Sequence, residues 1–182
     1  MTHLVGISGS LRRESSNTKL MQEAARLYAP DRFTEADLNL PLVNEDLNQG
    51  DGPEAVVALA ELLRSADALI ISTPEYNKMI PGLLKNALDW LSIIRGGNPL
   101  NGMPTAIMSS AAGKAGGERS QYTLRHALTP HRARVVLAPE VTIAGANDAF
   151  DEEGRLKNPK STEFLEKLMD GLKAEQALLA KA

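Results

Sequence analysis

The sequence predicts a single α/β domain built on a doubly wound parallel sheet of five strands. Short apolar runs suited to buried strands alternate along the chain with longer segments of helical period. The chain has 182 residues, of which 43% are hydrophobic and 24% charged, so it can bury one core without disulfides or metals. Because no repeat, low-complexity tract or linker divides it, we treat residues 1–182 as one domain.

The first half of the chain alternates strands and helices. Strands are predicted at residues 4–7, 34–38 and 68–72, and the uninterrupted Ala-Leu-Ile-Ile-Ser of the last indicates burial on both faces. Asn17 or Thr18 is predicted to cap the first helix, which Pro30 ends. The polar stretch 39–53 is irregular, and its final residue, Pro53, begins the second helix.

Three more helices and two more strands follow. Helices are predicted from Pro81 through Leu91, from Glu118 to Leu128, and from Ser161 onward. Strands are predicted at residues 105–109 and 135–137, the latter continuing in broken form through 141–143. In a doubly wound sheet, ligands bind beyond the carboxyl ends of the strands, so the loops that follow the strands are the candidate sites.

Charge and composition exclude several classes of function. Lys and Arg number 20 against 23 Asp and Glu, and the net charge of -3 is too small to attract nucleic acid or a membrane surface. The absence of cysteine excludes disulfides, a thiolate nucleophile and cysteine-ligated metals. Because Met-Thr-His-Leu-Val enters an apolar run with no basic region or cleavage site, we expect a cytoplasmic protein.

Metal and hydrolase chemistry find no support in the sequence. His3, His126 and His131 are too scattered to show metal-ligand spacing, so we expect no metal and place these side chains on the surface. The run Gly6-Ile7-Ser8-Gly9-Ser10 lacks the last glycine of a Gly-x-Ser-x-Gly nucleophile turn. A serine hydrolase is therefore not predicted.

The loop after the first strand has the composition of an anion site. It reads Gly9-Ser10-Leu11-Arg12-Arg13-Glu14-Ser15-Ser16-Asn17 and leads into a helix N-terminus, where N–H groups favour negative charge. Arginine adds a bidentate partner for phosphate oxygens. Because the loop lacks both the P-loop ending and the three-glycine dinucleotide pattern, a monophosphate fits it best. The alternative is a well-capped helix with solvated arginines.

Two further loops follow the third and fourth strands. The segment Thr73-Pro74-Glu75-Tyr76-Asn77 is closed by Pro81, and the two prolines hold Tyr76 and Asn77 as a platform for a flat heteroaromatic ligand. The glycine-rich residues 110–117 let a ligand approach the backbone, and the next helix start offers partial positive charge. Considered alone, the loop at 73–81 is equally well explained as a tight turn, and the loop at 110–117 as a flexible loop.

These segments together resemble the NADPH-dependent FMN reductase family, a flavodoxin-like group that includes bacterial quinone, chromate and azo-dye reductases. The resemblance is carried by Leu4 to Arg12 with Ser15 and Asn17, Thr73 to Asn77, Pro81 to Trp90, Gly113 to Gly117 with Gln121-Tyr122, and Ala138 to Val141. It spans about residues 4–143 and implies a flavodoxin-like sheet with strand order 2-1-3-4-5.

The resemblance also implies the cofactor and its contacts. It places non-covalent FMN with its phosphate on Ser10, Arg12, Ser15 and Asn17. The isoalloxazine would lie along Pro74, Glu75, Tyr76 and Asn77, with its pyrimidine side on Ser110, Gly113, Gly116 and Gly117. Family members are commonly homodimers whose active site lies near the subunit interface, so a homodimer or homotetramer is implied.

The implied activity is transfer of a hydride from NAD(P)H through FMN to quinones or similar flat acceptors, such as azo dyes, chromate or free flavin. The cofactor carries this chemistry, so no catalytic side chain is required, and Tyr76 serves as a substrate platform. Backbone donors at Gly116, Gly117 and the following helix start would stabilise negative charge on the reduced ring. The alternatives are a flavodoxin-type electron carrier and a phosphate-binding module without redox function.

Two segments are predicted to meet a second copy of the chain. They are the apolar helix 81–91 and the irregular stretch 39–53. The prediction rests on an excess of apolar residues at a helix end, namely Trp90, Leu91, Ile93 and Ile94, and on the two-fold symmetry usual in homo-oligomers. The alternative is that Trp90, at helical spacing, belongs to the core.

Overall fold

A parallel β-sheet forms the centre of the molecule, in a computed structural model that describes residues 1–137 and 139–179. Its strands are β1 (His3–Ser8), β2 (Arg32–Glu35), β3 (Ala68–Thr73), β4 (Pro104–Ser110), β5 (Arg134–Val135) and β6 (Val141–Ile143). The helices are α1 (Ser16–Tyr28), α2 (Glu54–Arg64), α3 (Gly82–Ile93), α4 (Glu118–Leu128) and α5 (Pro159–Leu179). Ala138, part of the segment that resembles the family, lies outside the described residues.

The strand order β2-β1-β3-β4-β5 confirms the doubly wound topology. The fifth position is shared by two short parallel strands. β5 pairs with Pro104 and Thr105 at the start of β4, whereas β6 pairs with residues 108–110 at its end. The predicted strand at 135–137 is therefore wrong in its bounds, and the break expected before 141–143 is confirmed. Pro139 lies in this break and has no N–H to donate to a strand ladder.

The second strand begins earlier than predicted. β2 pairs Arg32 with His3 and ends at Glu35, whereas the hydrophobic pattern indicated residues 34–38. Asn39 N donates to the Asp37 carboxylate at 2.8 Å, a local turn that ends the extended run.

The first helix is capped by a different residue than predicted. Ser15 Oγ accepts the backbone N–H groups of Asn17 and Thr18 at 3.2 and 3.3 Å, so Ser15 is the cap. Asn17 was an equally good candidate from its residue type, but its side chain is engaged on the neighbouring strands.

Helices cover both faces of the sheet. α1 and α5 pack on one face and α2, α3 and α4 on the other, and successive residues of each inner strand point to opposite layers. All of β3 is buried, as the uninterrupted apolar run predicted. Each fully buried Leu or Ile contributes roughly 1.5–3 kcal/mol, so the central strands hold the loops at their carboxyl ends on a rigid base.

Trp90 belongs to the core. The indole is fully buried, and its Nε1 donates to Pro41 O at 2.8 Å. Leu91 is 0% and Ile94 is 6% exposed, and Ile93 is partly buried against the same core, so these side chains are not the free apolar surface that was predicted. They are buried because the stretch 39–53 folds back over α3, where Asn86 Nδ2 also donates to Pro41 O at 2.9 Å.

Two of the three histidines are buried, contrary to expectation. His3 is held by Ser65 O and Thr34 Oγ1, each at 3.0 Å. The His131 Nδ1 lies 2.7 Å from Asn98 Nδ2, and burial lowers the pKa of His131. Both ring nitrogens of His3 and the Nδ1 of His131 thus have polar partners, which allows their burial.

Neither a membrane-crossing helix nor a metal-binding cluster is found in the described ranges 1–137 and 139–179. None of the helices there is both long and apolar enough to span a bilayer. No three acidic or histidine side chains there are grouped so that they could hold a metal ion.

Candidate functional site

Three loops meet where β1, β3 and β4 end. They comprise residues 9–15, 74–81 and 111–117. Gly9 N donates to Ser72 O at 2.8 Å, and a Cβ on Gly9 would lie only 2.9 Å from Pro74 Cδ. The glycine therefore lets the first loop contact the second. A cleft of about 460 Å³ opens between these two loops, beside Arg12 and Tyr76.

The first loop presents a free cation next to hydroxyl groups. Ser10 Oγ accepts the N–H of Arg12 at 3.3 Å, and Arg12 O accepts the N–H of Ser15 at 3.2 Å. Both bonds shape the loop through its backbone. The Arg12 side chain is exposed, and within the described part of the chain its guanidinium has no hydrogen bond or ion pair. An anion can therefore bind it without breaking an existing contact.

Ser15 combines a structural bond with a free hydroxyl hydrogen. Its oxygen accepts two N–H groups of the first turn of α1, and the residue is 3% exposed. A serine hydroxyl also carries one donor. Capping therefore does not prevent Ser15 from donating to a phosphate oxygen.

Asn17 links the ends of two strands. Its Oδ1 accepts Ser72 Oγ at 2.9 Å and Ser110 N at 3.0 Å, while its Nδ2 donates to Ser110 O at 2.9 Å. The residue is 2% exposed. Asn17 thus forms the floor of the site by joining β3 to β4. Its predicted phosphate contact stays a prediction, with one Nδ2 hydrogen left to make it.

The second loop is a tight turn that leaves its aromatic ring accessible. Tyr76 and Met79 exchange backbone hydrogen bonds of 3.1 and 3.0 Å, and the residues between them, Asn77 and Lys78, have φ of 52° and 66°. Positive φ at both central positions is the geometry of a type I′ turn. Tyr76 is 52% exposed, so the ring stands on a rigid base and faces outward from its own domain.

Glu75 joins the second loop to the third. Its Oε2 accepts the backbone N–H of Arg119 at 3.1 Å, and its Oε1 lies 3.4 Å from the Arg119 guanidinium. The carboxylate therefore caps the start of α4. Glu118 N and Ser120 N are also paired, with Ala115 O and Gly117 O. The start of α4 consequently does not supply the free donors that the sequence suggested.

The third loop is held by its backbone. Gly116 and Gly117 have φ of 59° and 89°, and a Cβ on Gly117 would lie 2.9 Å from Ser109 Cβ. A Cβ on Gly116 would meet the backbone of Ile143 at 3.0 Å. These glycines are therefore needed for the packing of the loop on β4 and β6, whereas Gly113 faces open space.

Residues that sequence reasoning did not assign a function hold this loop from behind. Ser109 Oγ donates to Gly116 O at 2.8 Å, and Gln121 Nε2 donates to Ser109 Oγ at 2.9 Å. Two buried oxygens at this point, Gln121 Oε1 and Ser110 Oγ, have no partner among the described residues. The predicted strand at residues 105–109 placed Ser109 in the sheet, but no sequence signal indicated its hydrogen bond to the third loop.

A larger groove of about 1040 Å³ lies between α3 and α4, on the outer face of the helices. Met79 and Tyr122, which are 56% and 52% exposed, contribute apolar surface to it. We assign the ligand site to the strand ends because polar groups converge there, while the groove is mainly apolar.

The family model for NADPH-dependent FMN reductases matches residues 2–148. The chain belongs to this family. The sequence resemblance is thereby confirmed, and the loops that carry it are the ones that meet at the strand ends.

Named relatives share most of their length with the chain. It is 42% identical over 171 residues to an NAD(P)H-dependent FMN reductase of Pseudomonas aeruginosa, covering 93% of this chain and 92% of the relative. A quinone reductase of Pseudomonas putida is 36% identical, with 90% and 89% covered. Among solved structures, the flavoenzyme NAD(P)H:(acceptor) oxidoreductase FerB from Paracoccus denitrificans is 30% identical, with a TM-score of 0.88 and coverage of 97% and 98%.

Proposed function

We propose that the protein is an FMN-dependent NAD(P)H oxidoreductase that reduces quinones and similar flat acceptors. The observation that carries the proposal is the cleft between the first two loops, which combines the half-exposed Tyr76 ring with an Arg12 guanidinium that is unpaired within residues 1–137 and 139–179. The guanidinium suits a phosphate, and the tyrosine ring suits a stacked flat molecule. The relatives named above act as NAD(P)H-dependent FMN and quinone reductases, in agreement with this chemistry.

The residues present fit the cofactor. Arg12 and the hydroxyl groups of Ser10 and Ser15 offer charge and donors to a phosphate. FMN, when bound, supplies the two-electron chemistry that links NAD(P)H to an acceptor. On this proposal Pro74, Glu75, Tyr76 and Asn77 border the ring system along one side. Ser110, Gly113, Gly116 and Gly117 border its pyrimidine side.

The protein contributes binding and orientation. The type I′ turn holds Tyr76 in a defined position, so the ring limits the poses of a flat molecule entering the cleft. Among the backbone N–H groups of Gly116, Gly117 and the start of α4, that of Gly117 has no partner within the described residues. It is the donor available to negative charge on the pyrimidine side.

The proposal is tested by the colour and kinetics of the purified protein. We expect flavin absorption bands and steady-state oxidation of NAD(P)H when a quinone is added. If one cleft serves donor and acceptor in turn, initial-rate lines at several quinone concentrations will be parallel. Intersecting lines would require separate sites for the two substrates, and a colourless protein that does not bind added FMN would refute the proposal.

A flavodoxin-type electron carrier is the second candidate. It would bind FMN but leave NAD(P)H unoxidised. The net charge of -3 lends it little support, because carriers of this type commonly present a strongly acidic face. FMN binding without NAD(P)H oxidation would favour the carrier.

We propose that the protein forms a homodimer through the groove between α3 and α4. This interface replaces the one predicted from the apolar side chains at the end of α3, which are core residues. A homotetramer would need a second interface. We expect sedimentation at micromolar concentration to give twice 19.6 kDa or a multiple of it. Met79→Asp should shift the protein toward monomer, whereas Leu178→Asp, on the opposite face of the sheet, should not. A monomeric wild-type protein would exclude both assemblies.

We also propose a cytoplasmic location. The support is the complete lack of cysteine, which suits a reducing compartment, and the mild net charge, which attracts neither membrane surfaces nor nucleic acid. Fractionation of cells that express the protein should place it with cytoplasmic markers. Recovery with periplasmic markers would contradict this location.

A further inference from the structure

A buried hydrogen-bond chain lies behind the third loop. Gln121 of α4 is 2% exposed, and its Nε2 donates to Val141 O of β6 at 2.8 Å and to Ser109 Oγ of β4 at 2.9 Å. Ser109 Oγ in turn donates to Gly116 O at 2.8 Å. The chain therefore connects β6, α4 and β4 to one peptide group of the loop.

This chain sets the direction of the Gly117 N–H. A trans peptide carries its C=O and N–H on opposite sides, so the bond that draws the Gly116 carbonyl toward Ser109 turns the Gly117 N–H away from β4. In the part of the chain that the structure describes, this N–H has no partner. The donors before and after it are paired, since Gly116 N donates to Gly113 O and Glu118 N to Ala115 O.

The peptide is also held sterically. Gly116 packs against the backbone of Ile143, and Gly117 packs against Ser109, both closely enough to leave no room for a Cβ. Because both glycines are confined in this way, the hydroxyl of Ser109 is the polar group that selects which way the carbonyl points. The amide of Gln121 then orients that hydroxyl by donating to its oxygen.

The Gln121 amide is only partly satisfied. Both hydrogens of Nε2 are used, whereas the buried Oε1 has no partner within residues 1–137 and 139–179. A buried unpaired oxygen lowers stability. The orientation of the amide is therefore set by its two donated hydrogen bonds, to Ser109 Oγ and to Val141 O.

We infer that Gln121 is a positioning residue that acts through Ser109 to aim the Gly117 N–H at the pyrimidine side of bound FMN. This inference rests on the proposed function. Reduction adds electron density to that side of the flavin, and hydrogen bonds to a charged acceptor are about twice as strong as neutral ones. A fixed Gly117 donor consequently favours the reduced cofactor over the oxidised one.

The test measures the two-electron midpoint potential of bound FMN in wild type, Ser109→Ala and Gln121→Met. We expect each variant to weaken binding of reduced FMN about tenfold relative to oxidised FMN, which is a potential about 30 mV lower. Thr105→Val is the matched control. It also removes a buried hydroxyl of β4, but one that donates to Met103 O at the opposite end of the strand. Its potential should equal that of wild type.

A second measurement does not require the cofactor. The Gly117 amide proton should change its NMR chemical shift and exchange rate in FMN-free Ser109→Ala and Gln121→Met, and remain unchanged in Thr105→Val. Potentials and amide shifts equal to wild type in both variants would overturn the inference. If wild type binds no FMN, the proposed function fails, and with it the cofactor step of the inference, while the amide measurement still decides whether the chain orients Gly117.

Discussion

The first and third loops meet at one edge of the sheet but expose different chemical groups. The loop 9–15 uses its backbone for its own folding and leaves the Arg12 side chain free. In the loop 111–117, Ser109 and Ser120 bind the carbonyls of Gly116 and Gly117, and within residues 1–137 and 139–179 the Gly117 N–H has no partner. Truncating a side chain therefore removes a ligand group in the first loop, whereas adding a side chain disrupts the backbone of the third loop.

Gly117→Ala should have the largest effect and should break the third loop. The φ of 89° and the 2.9 Å approach to Ser109 Cβ together lead us to expect a loss of about 3 kcal/mol in the free energy of unfolding. Denaturant titration of the FMN-free protein measures it. Gly113→Ala, in open space, should be neutral. Equal stability of both variants would show that the loop shifts freely and that its backbone is not fixed.

Tyr76→Ala tests whether the second loop, whose strand lies between those of the first and third loops, acts through its aromatic side chain. FMN affinity should fall by at most about 0.5–1.5 kcal/mol, the value of an aromatic contact. Turnover should fall on the order of 10²-fold, because the substrates lose a surface that orients them. Tyr76→Phe keeps the ring and should retain most activity. Unchanged kcat and KM in Tyr76→Ala would assign the turn to backbone structure alone.

Arg12→Ala should remove the main ligand group of the first loop. We expect FMN affinity to fall by about 2 kcal/mol, or about thirtyfold, when measured by calorimetry. Arg12→Lys should recover only part of this loss, since an ammonium cannot make a bidentate contact. Arg13→Ala, at the neighbouring exposed position, is the control. Equal losses in Arg12→Ala and Arg13→Ala would indicate a diffuse charge effect instead of one contact.

Glu75→Ala should have the smallest effect on the FMN-free protein, where it removes one helix cap. Loss of the bond to Arg119 N should lower the free energy of unfolding by about 1 kcal/mol. The exposed Arg119 guanidinium at 3.4 Å should add little. Glu118→Ala removes an acidic residue from the same helix start without removing this bond, and a loss as large there would show that helix charge and not the cap is responsible.

The alternation of apolar runs and helical segments was sufficient to predict the sheet and the edge where the loops meet. The strand order came from the family resemblance. The alternation succeeded because strand burial depends on local hydrophobic pattern, and parallel strands bring their carboxyl ends to one edge. Glycine and polar residues at those ends then indicated a ligand site. The bounds of β2 and β5 were wrong because short edge strands end through local turns and prolines that hydrophobicity does not register.

Tertiary structure alone decided which polar groups of the site are free. Asn17 and Glu75 are predicted ligand contacts in the sequence, and the structure shows that part of their hydrogen-bonding capacity is already used, because Asn17 bonds to Ser110, 93 positions away, and Glu75 caps a helix 44 positions away. Conversely, the Gly117 N–H has no partner among the residues that the structure describes, and the bond from Ser109 to Gly116 O turns this N–H away from β4. A ligand can use only those donors and acceptors that the protein's own hydrogen bonds leave unpaired. Folding decides which groups pair, because it brings together residues that are far apart along the chain.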